Sequence, residues 1–340
     1  MSLQIVKLNY LINHPEELDH NDQLLVLEEN KQTSILVYGE SLGLKLLQSE
    51  HTIPIDPMGR FLNYIASVDP NSERFKTLHA YAQRGPMFLS GSAHIDARKK
   101  IAQFYKKIED DLTPWLMAFT KDYLLKYKNT NEIEVEELCS VFIHELNKKI
   151  IANDLKIDES EIPEFPEHLL MYMPSLHVVD LKEKKLKALV AVIENQIKKQ
   201  GRDHYDTWSL VSIIVMGLNA ISSSLMFGLI KHQRFISAEE TIKSASALSI
   251  LFREVTEDIE IDQIIFKKGV LLYIALHVMN DQSNDDSYAF GKGVHTCPGK
   301  KLATNIIDTF FKCWITLGFE SKSLKPLSFK RDIVLTARKD

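Results

Sequence analysis

The most informative stretch of the chain is Phe290-Gly-Lys-Gly-Val-His-Thr-Cys-Pro-Gly-Lys-Lys-Leu-Ala303. Two glycines, a histidine and a Cys-Pro-Gly step run directly into an apolar helix start. Glycine permits positive φ and the close approach of a flat ligand, so the segment reads as a tight loop that exposes its backbone around one thiol. Backbone N–H groups turned toward sulfur, and a helix beginning just after it, both favour the thiolate form. A thiolate so placed serves as a nucleophile or as a metal ligand. Zinc is a poor fit, because His295-x-Cys297 has no two further ligands at zinc spacing nearby. Cys139 and Cys313 sit on apolar helical faces beside Leu138, Val141 and Trp314, where a thiol acts as a small packing group.

The elements that must carry this loop are mostly helices. Asp96–Tyr105 places Ile101, Phe104 and Tyr105 on one face. Asp111–Tyr127 repeats Leu112, Trp115, Leu116, Phe119, Tyr123 and Leu124 at three- and four-residue steps. Val135–Ile151, Asp180–Gln200 with Gly201 as its stop, and Lys301–Leu317 read as three more amphipathic helices. From Trp208 to Ile230 there are 23 residues without Asp, Glu, Lys or Arg, long enough to span a bilayer. Six serines and asparagines dilute that run, which fits a helix buried on all sides of a large domain better than a membrane span. Strand signals are short: Ser34–Val37, Val255–Ile261 and Gly269–Ile274. The segment 163–174, with three prolines, is the clearest irregular connection. The expected fold class is mainly α with a minor β-sheet, in a single domain spanning residues 1–340.

Composition narrows the functional classes. At 340 residues the chain is 45% apolar and 26% charged, with 41 basic against 46 acidic side chains for a net charge of −5. A dedicated nucleic-acid binder would normally show a basic excess. Three cysteines are too sparse for a disulfide scaffold and fit a reducing, cytoplasmic setting. The first 22 residues have the charges Lys7, Glu16, Glu17, Asp19 and Asp22 and no long apolar core, so neither a signal peptide nor a membrane anchor is expected there.

The pattern Phe290-Gly-x-Gly-x-His-x-Cys-x-Gly299, followed by Leu-Ala, resembles the heme-binding signature of the cytochrome P450 family. The resemblance implies a soluble, bacterial-type, shortened member of that family with heme b (iron protoporphyrin IX) as its cofactor. Cys297 then supplies the axial thiolate on heme iron, a ligand type that favours O–O bond cleavage. Phe290 packs by the sulfur, Gly291, Gly293 and Gly299 shape the loop, and His295 reaches a heme propionate. Other segments resemble the family too. Met87-Phe-Leu-Ser-Gly-Ser-Ala-His94-Ile-Asp-Ala-Arg98 is similar to a helix carrying His-x-x-x-Arg, whose spacing puts both cations on one face for an anionic propionate. Arg253, in Arg253–Ile261, takes a propionate-contacting role by the same resemblance.

Two segments depart from the family pattern. Ten residues before Arg253, Glu240-Thr-Ile-Lys243 is in register with the family's Glu-x-x-Arg but ends in lysine. Lysine's point charge cannot reproduce arginine's planar fork, so either that network is weaker or another residue completes it. In the long apolar helix, Met216-Gly217-Leu218-Asn219-Ala220-Ile221 aligns with the family's oxygen-side motif, with Asn219 in place of the acid and Ala220 in place of the threonine. Gly217, Asn219 and Ala220 are the expected distal-pocket residues. Asn219 reads equally as a core amide bonding between helices, and a shift of two or three places brings in Ser222 or Ser223.

By the resemblance the protein is a monooxygenase that oxidises a small apolar or natural-product-type substrate with dioxygen and electrons from a ferredoxin or flavodoxin-type donor. Lys99, Lys100, Lys292, Lys300 and Lys301 either form a local basic patch for that donor or are solvated helix-end lysines. Asn219 and Ala220 keep open a peroxygenase, isomerase or dehydratase, and Lys243 a non-catalytic heme protein. The segments 63–83 and 162–180 are expected to set the substrate.

Overall fold

The computed structural model describes residues 8, 10–11, 13–18, 23–29, 32–55, 74–85, 89–165, 176–202, 205–232, 237–283, 287–331 and 335–338. In chain order, strands β1 (Leu24–Glu29) and β2 (Gln32–Val37) precede helix α1 (Glu40–Gln48) and strand β3 (Thr52–Pro54). Helices α2 (Lys76–Arg84) and α3 (Gly91–Leu125), strand β4 (Glu132–Ile133), and helices α4 (Val135–Leu155) and α5 (Leu176–Lys199) come next. Helix α6 (Tyr205–Ser212) runs through a π-helical turn (Ile213–Gly217) into α7 (Leu218–His232). Then come α8 (Ala238–Ala245), β5 (Ile250–Val255), β6 (Ile259–Ile261), β7 (Ile264–Phe266), β8 (Leu271–Ala275), α9 (Leu276–Gln282) and α10 (Lys300–Thr316). Strands β9 (Ser323–Leu324), β10 (Ser328–Arg331) and β11 (Leu335–Arg338) complete the mainly α arrangement.

The chain forms two compact units. The first comprises residues 1–55, 223–300 and 324–340 and holds the five-stranded sheet, in the order β1-β2-β8-β5-β3. The β1–β2 hairpin pairs in register from Leu24↔Val37 to Glu29↔Gln32, and β2 runs parallel to β8. Ile35, Val37, Leu272, Ile274, Leu42, Leu46 and Met279 form its core, closing the inner sheet face against α1 and α9. The second unit comprises residues 56–222 and 301–323. Its core is aromatic: Phe142 of α4 lies 5.8 Å from Phe119, 5.2 Å from Tyr123 and 5.0 Å from Phe310, measured between ring centres. The Tyr123 hydroxyl, buried in that cluster, donates to the Leu138 carbonyl at 2.7 Å, so its polar end is satisfied.

Three expectations are revised. The helices read at 96–105 and 111–127 are one, α3, with Pro114 inside it. Ile108 is buried between Phe104 and Leu112, so the apolar stripe persists through the charged residues that read as a break. The strand read at 255–261 is the end of β5 and then the start of a separate hairpin, β6–β7. The long apolar helix is interrupted by its π turn. Thr207–Lys231 is long and apolar enough to cross a membrane, yet 73% of its apolar window is buried inside the protein, as expected of a core helix. Helices α4, α5 and α10 fall where the periodicity puts them, and Gly201 comes after α5 at φ +65°. Met87, Phe88 and the segments 63–73 and 166–175 of the substrate-setting stretches lie outside the described residues.

Candidate functional site

In the first unit, the loop between α9 and α10 presents Cys297 three residues before the helix start. Gly291 and Gly293 both take positive φ, +67° and +73°. At Gly293 an added Cβ would stand 2.6 Å from the Leu47 carbonyl oxygen and 3.1 Å from Gln48 Cα. Only glycine lets the loop lie this close to the end of α1. The Cys297 N–H donates to the Phe290 carbonyl at 2.8 Å, and the Gly291 N–H to the Tyr288 carbonyl at 2.8 Å. The Thr296 N–H and hydroxyl both donate to the Gly293 carbonyl, at 3.1 and 2.7 Å. These bonds fold residues 288–297 into two consecutive tight turns with the sulfur at their end. Phe290, Gly291, Gly293, His295, Cys297 and Gly299 are thus brought into one loop, with the Phe290 ring 6.0 Å from Lys300 Nζ.

The three cysteines separate by burial. Cys139 and Cys313 are buried packing residues and burial pushes both thiols up, whereas Cys297 is only partly buried. Thiolate chemistry disfavours a sulfur stranded in apolar surroundings, and of the three cysteines only Cys297 is not buried.

Arg253 lies on strand β5, between β8 and β3 in the sheet, paired across to Leu272 and Pro54. It belongs to the same unit as the loop, and Leu251 of the same strand stands 3.6 Å from an added Cβ at Gly291. Arg253 is 3% exposed, its Nε has no hydrogen-bond partner, and burial pushes its guanidinium down to about 10. Burying a guanidinium with an unpartnered Nε carries a cost that an anionic partner would offset.

In the second unit, His94 and Arg98 stand one turn apart on α3, His94 buried and Arg98 half-buried. Gly217 and Ala220 lie at the end of the π turn and just beyond it, and an added Cβ at Gly217 would come 3.8 Å from the Tyr105 hydroxyl of α3. Asn219 is helical in α7. Ser222 is buried, and its hydroxyl has no hydrogen-bond partner. The Glu240–Lys243 pair, in the first unit, is reorganised. Glu240 is exposed and faces the helix-capping Ser237, and Lys243 Nζ donates to the Ser283 carbonyl at 2.5 Å.

The arrangement of helices and sheet matches solved structures over nearly its whole length. P450BioI, in its complex with an acyl carrier protein bearing hexadec-9Z-enoic acid, superposes with a TM-score of 0.74 at 15% identity, over 96% of this chain and 98% of that one. The fold is that of the cytochromes P450. TamI, a P450 monooxygenase solved with tirandamycin C, gives 0.73 at 15% identity over 97% and 96% of the two chains. PksS, the P450 of the bacillaene polyketide synthase of Bacillus subtilis 168, gives 0.69 at 14% identity over 98% and 96%. No protein-family model and no curated protein matches the sequence.

A P450 fold implies heme, and the residues present suit it. Gly291 and Gly293 leave the turns ahead of Cys297 without side chains at those two positions, and a thiolate is a soft ligand appropriate to iron. The unpartnered Nε of Arg253 is an anion-directed donor of the kind a propionate satisfies. Sequence reasoning missed Asn280 and Tyr288, whose bonds support the loop. Tyr288 carries no linear signal, because Glu40, the partner of its hydroxyl, lies 248 residues away in the chain.

Proposed function

We propose that this P450-fold chain is a heme-thiolate oxidoreductase, formed as one domain over residues 1–340, that oxidises a small apolar or natural-product-type substrate. When bound, heme b would supply the oxidising chemistry. The observation that carries the reading is the Cys297 loop, whose cysteine is only partly buried at the end of two glycine turns and just ahead of α10. Cys297 would hold the iron, with its N–H committed to the Phe290 carbonyl so that the loop cannot relax away. Arg253 and His295, with His94 and Arg98, would take the carboxylates of the macrocycle.

The substrate class is argued from the molecules that the structural neighbours hold: a fatty acyl chain on a carrier protein in P450BioI, tirandamycin C in TamI, and thaxtomin as the hydroxylation substrate of TxtC. An acidic ferredoxin or flavodoxin-type donor is proposed for the lysines Lys99, Lys100, Lys292, Lys300 and Lys301. Lys301 is already bonded to Glu109 at 2.7 Å, so its share of that attraction is reduced. A cytoplasmic, soluble protein fits this scheme. Around Gly217, Asn219 and Ala220 the chain offers an amide and no ionising acid. Protons at this position would come through ordered water, the Ser222 hydroxyl or the substrate's own polar groups.

The test is spectroscopic. Reduced, carbon-monoxide-treated protein should show the red-shifted Soret band of thiolate ligation, and Cys297→Ala should abolish it. An unchanged spectrum in that variant overturns the assignment. Turnover with dioxygen and reductant would support the monooxygenase. Turnover with peroxide alone, or under anaerobic conditions without reductant, would instead support the peroxygenase or isomerase reading that Asn219 and Ala220 favour.

A further inference from the structure

The loop that presents Cys297 is braced by groups outside the signature, all within the first unit. Tyr288 is 1% exposed. Its hydroxyl donates to Glu40 Oε1 at 2.8 Å, its backbone N–H donates to Asn280 Oδ1 at 2.6 Å, and its carbonyl accepts the Gly291 N–H. Lys292 Nζ lies 5.4 Å from the centre of its ring. Glu40 is the first residue of α1, and its own N–H donates to Gln282 Oε1 at 3.0 Å. At the other end of α1, the Leu47 carbonyl abuts Gly293. Helix α1 therefore meets the loop at both of its ends, through a carboxylate–phenol bond at one and a backbone contact only glycine allows at the other.

We infer that Tyr288 and Glu40 are positioning residues for the Cys297 thiolate, taking over the bracing that Glu240 and Lys243 do not provide as an ion pair in this chain. The physical basis is directional. Lys243 secures the Ser283 carbonyl, which fixes the end of α9 rather than the loop itself. Tyr288 bonds to α1, to α9 and to the Gly291 turn, and so transmits the position of two helices to the sulfur-bearing turns. A phenol–carboxylate bond is charge-assisted and stronger than a neutral one. Loss of the hydroxyl frees the turn without emptying the space the ring fills.

This inference rests on Cys297 being the iron ligand, but its first readout does not. In heme-free protein, Tyr288→Phe should speed amide hydrogen exchange at Gly291 and Cys297 about tenfold, the scale set by one charge-assisted bond. Exchange in the aromatic core of the second unit should not change. Glu40→Ala should give the same increase, and the double variant no more than either single one. Glu40→Gln keeps an acceptor oxygen and should restore protection. In the heme-loaded protein, Tyr288→Phe should raise the fraction whose reduced carbon-monoxide spectrum reports a neutral thiol. Unchanged exchange at Gly291 and Cys297 in both Tyr288→Phe and Glu40→Ala, or additive effects in the double variant, overturns the inference. Should Tyr288→Phe fail to fold, Glu40→Ala against Glu40→Gln decides the same question. If exchange responds as expected but Cys297→Ala keeps the thiolate spectrum, the brace stands and the ligand assignment falls.

Discussion

Replacing Gly293 by alanine should damage the protein in a way that Gly291→Ala does not. Both residues take positive φ, so each alanine carries the left-handed penalty of about 1–2 kcal/mol. The second cost separates them. At Gly291 the added methyl meets Leu251 Cδ1 at 3.6 Å, an ordinary contact with a movable side chain. At Gly293 it meets the Leu47 carbonyl oxygen at 2.6 Å and Gln48 Cα at 3.1 Å. Both of those are backbone at the end of α1, where no rotamer change relieves the overlap. Overpacking of this kind costs about 1–3 kcal/mol, bringing Gly293→Ala to roughly 2–5 kcal/mol against about 1–2 for Gly291→Ala. Urea unfolding of the two heme-free variants beside the parent should show the larger midpoint shift for Gly293→Ala, with similar slopes. Equal shifts, or a larger one for Gly291→Ala, would refute the close approach of loop and helix on which the site geometry depends.

Two further outcomes concern buried charge. Arg253 has its folded-state pKa lowered to about 10 by burial. A base lowered on folding costs the fold stability at every pH below that value, and the cost fades as pH rises from there toward the unfolded value. Heme-free Arg253→Met should therefore be more stable at neutral pH, by about 1–3 kcal/mol, while binding heme more weakly. A less stable variant in urea unfolding contradicts this. Asp154, with its side chain 1% exposed, takes Lys107 at 2.5 Å and Arg202 at 2.9 Å. Asp154→Ala leaves the mostly buried Arg202 uncompensated and should cost about 3 kcal/mol. Lys107→Ala removes a half-exposed partner and should cost under about 1 kcal/mol, an order that the same unfolding assay ranks.

The cysteine loop was legible in the sequence because its geometry depends on residue types with few substitutes. Positive φ at two positions demands glycine, and a loop thiol before a helix demands a lone cysteine. Helices α4, α5 and α10 were legible for a different reason, since their apolar residues repeat at helical spacing and face a core. The bonds that hold the loop were not legible. Tyr288 to Glu40 joins residues far apart in the chain, and nothing in a linear pattern marks a phenol as a partner. The continuity of α3 was hidden because charged residues Lys106 to Asp111 outweighed a single buried Ile108 in the pattern. The π turn was hidden as well, because Ile213 to Gly217 is as apolar as the helices on either side of it.

That turn bears on how such a helix can change over time. A π turn carries one residue beyond the α-helical path between the same ends, and each residue added to a helix rotates the next by about 100°. Deleting one residue from Ile213–Gly217 would therefore return the turn to the α-helical path and leave positions 218–232 facing nearly as before, whereas the same deletion in a regular helical stretch would turn everything beyond it by that angle. A residue absorbed in such a turn thus shifts the sequence register by one without changing which of Ala220, Ile221 or Ser222 takes a given direction. Position-by-position matching of this helix against others compares neighbours in the chain that are not neighbours in space.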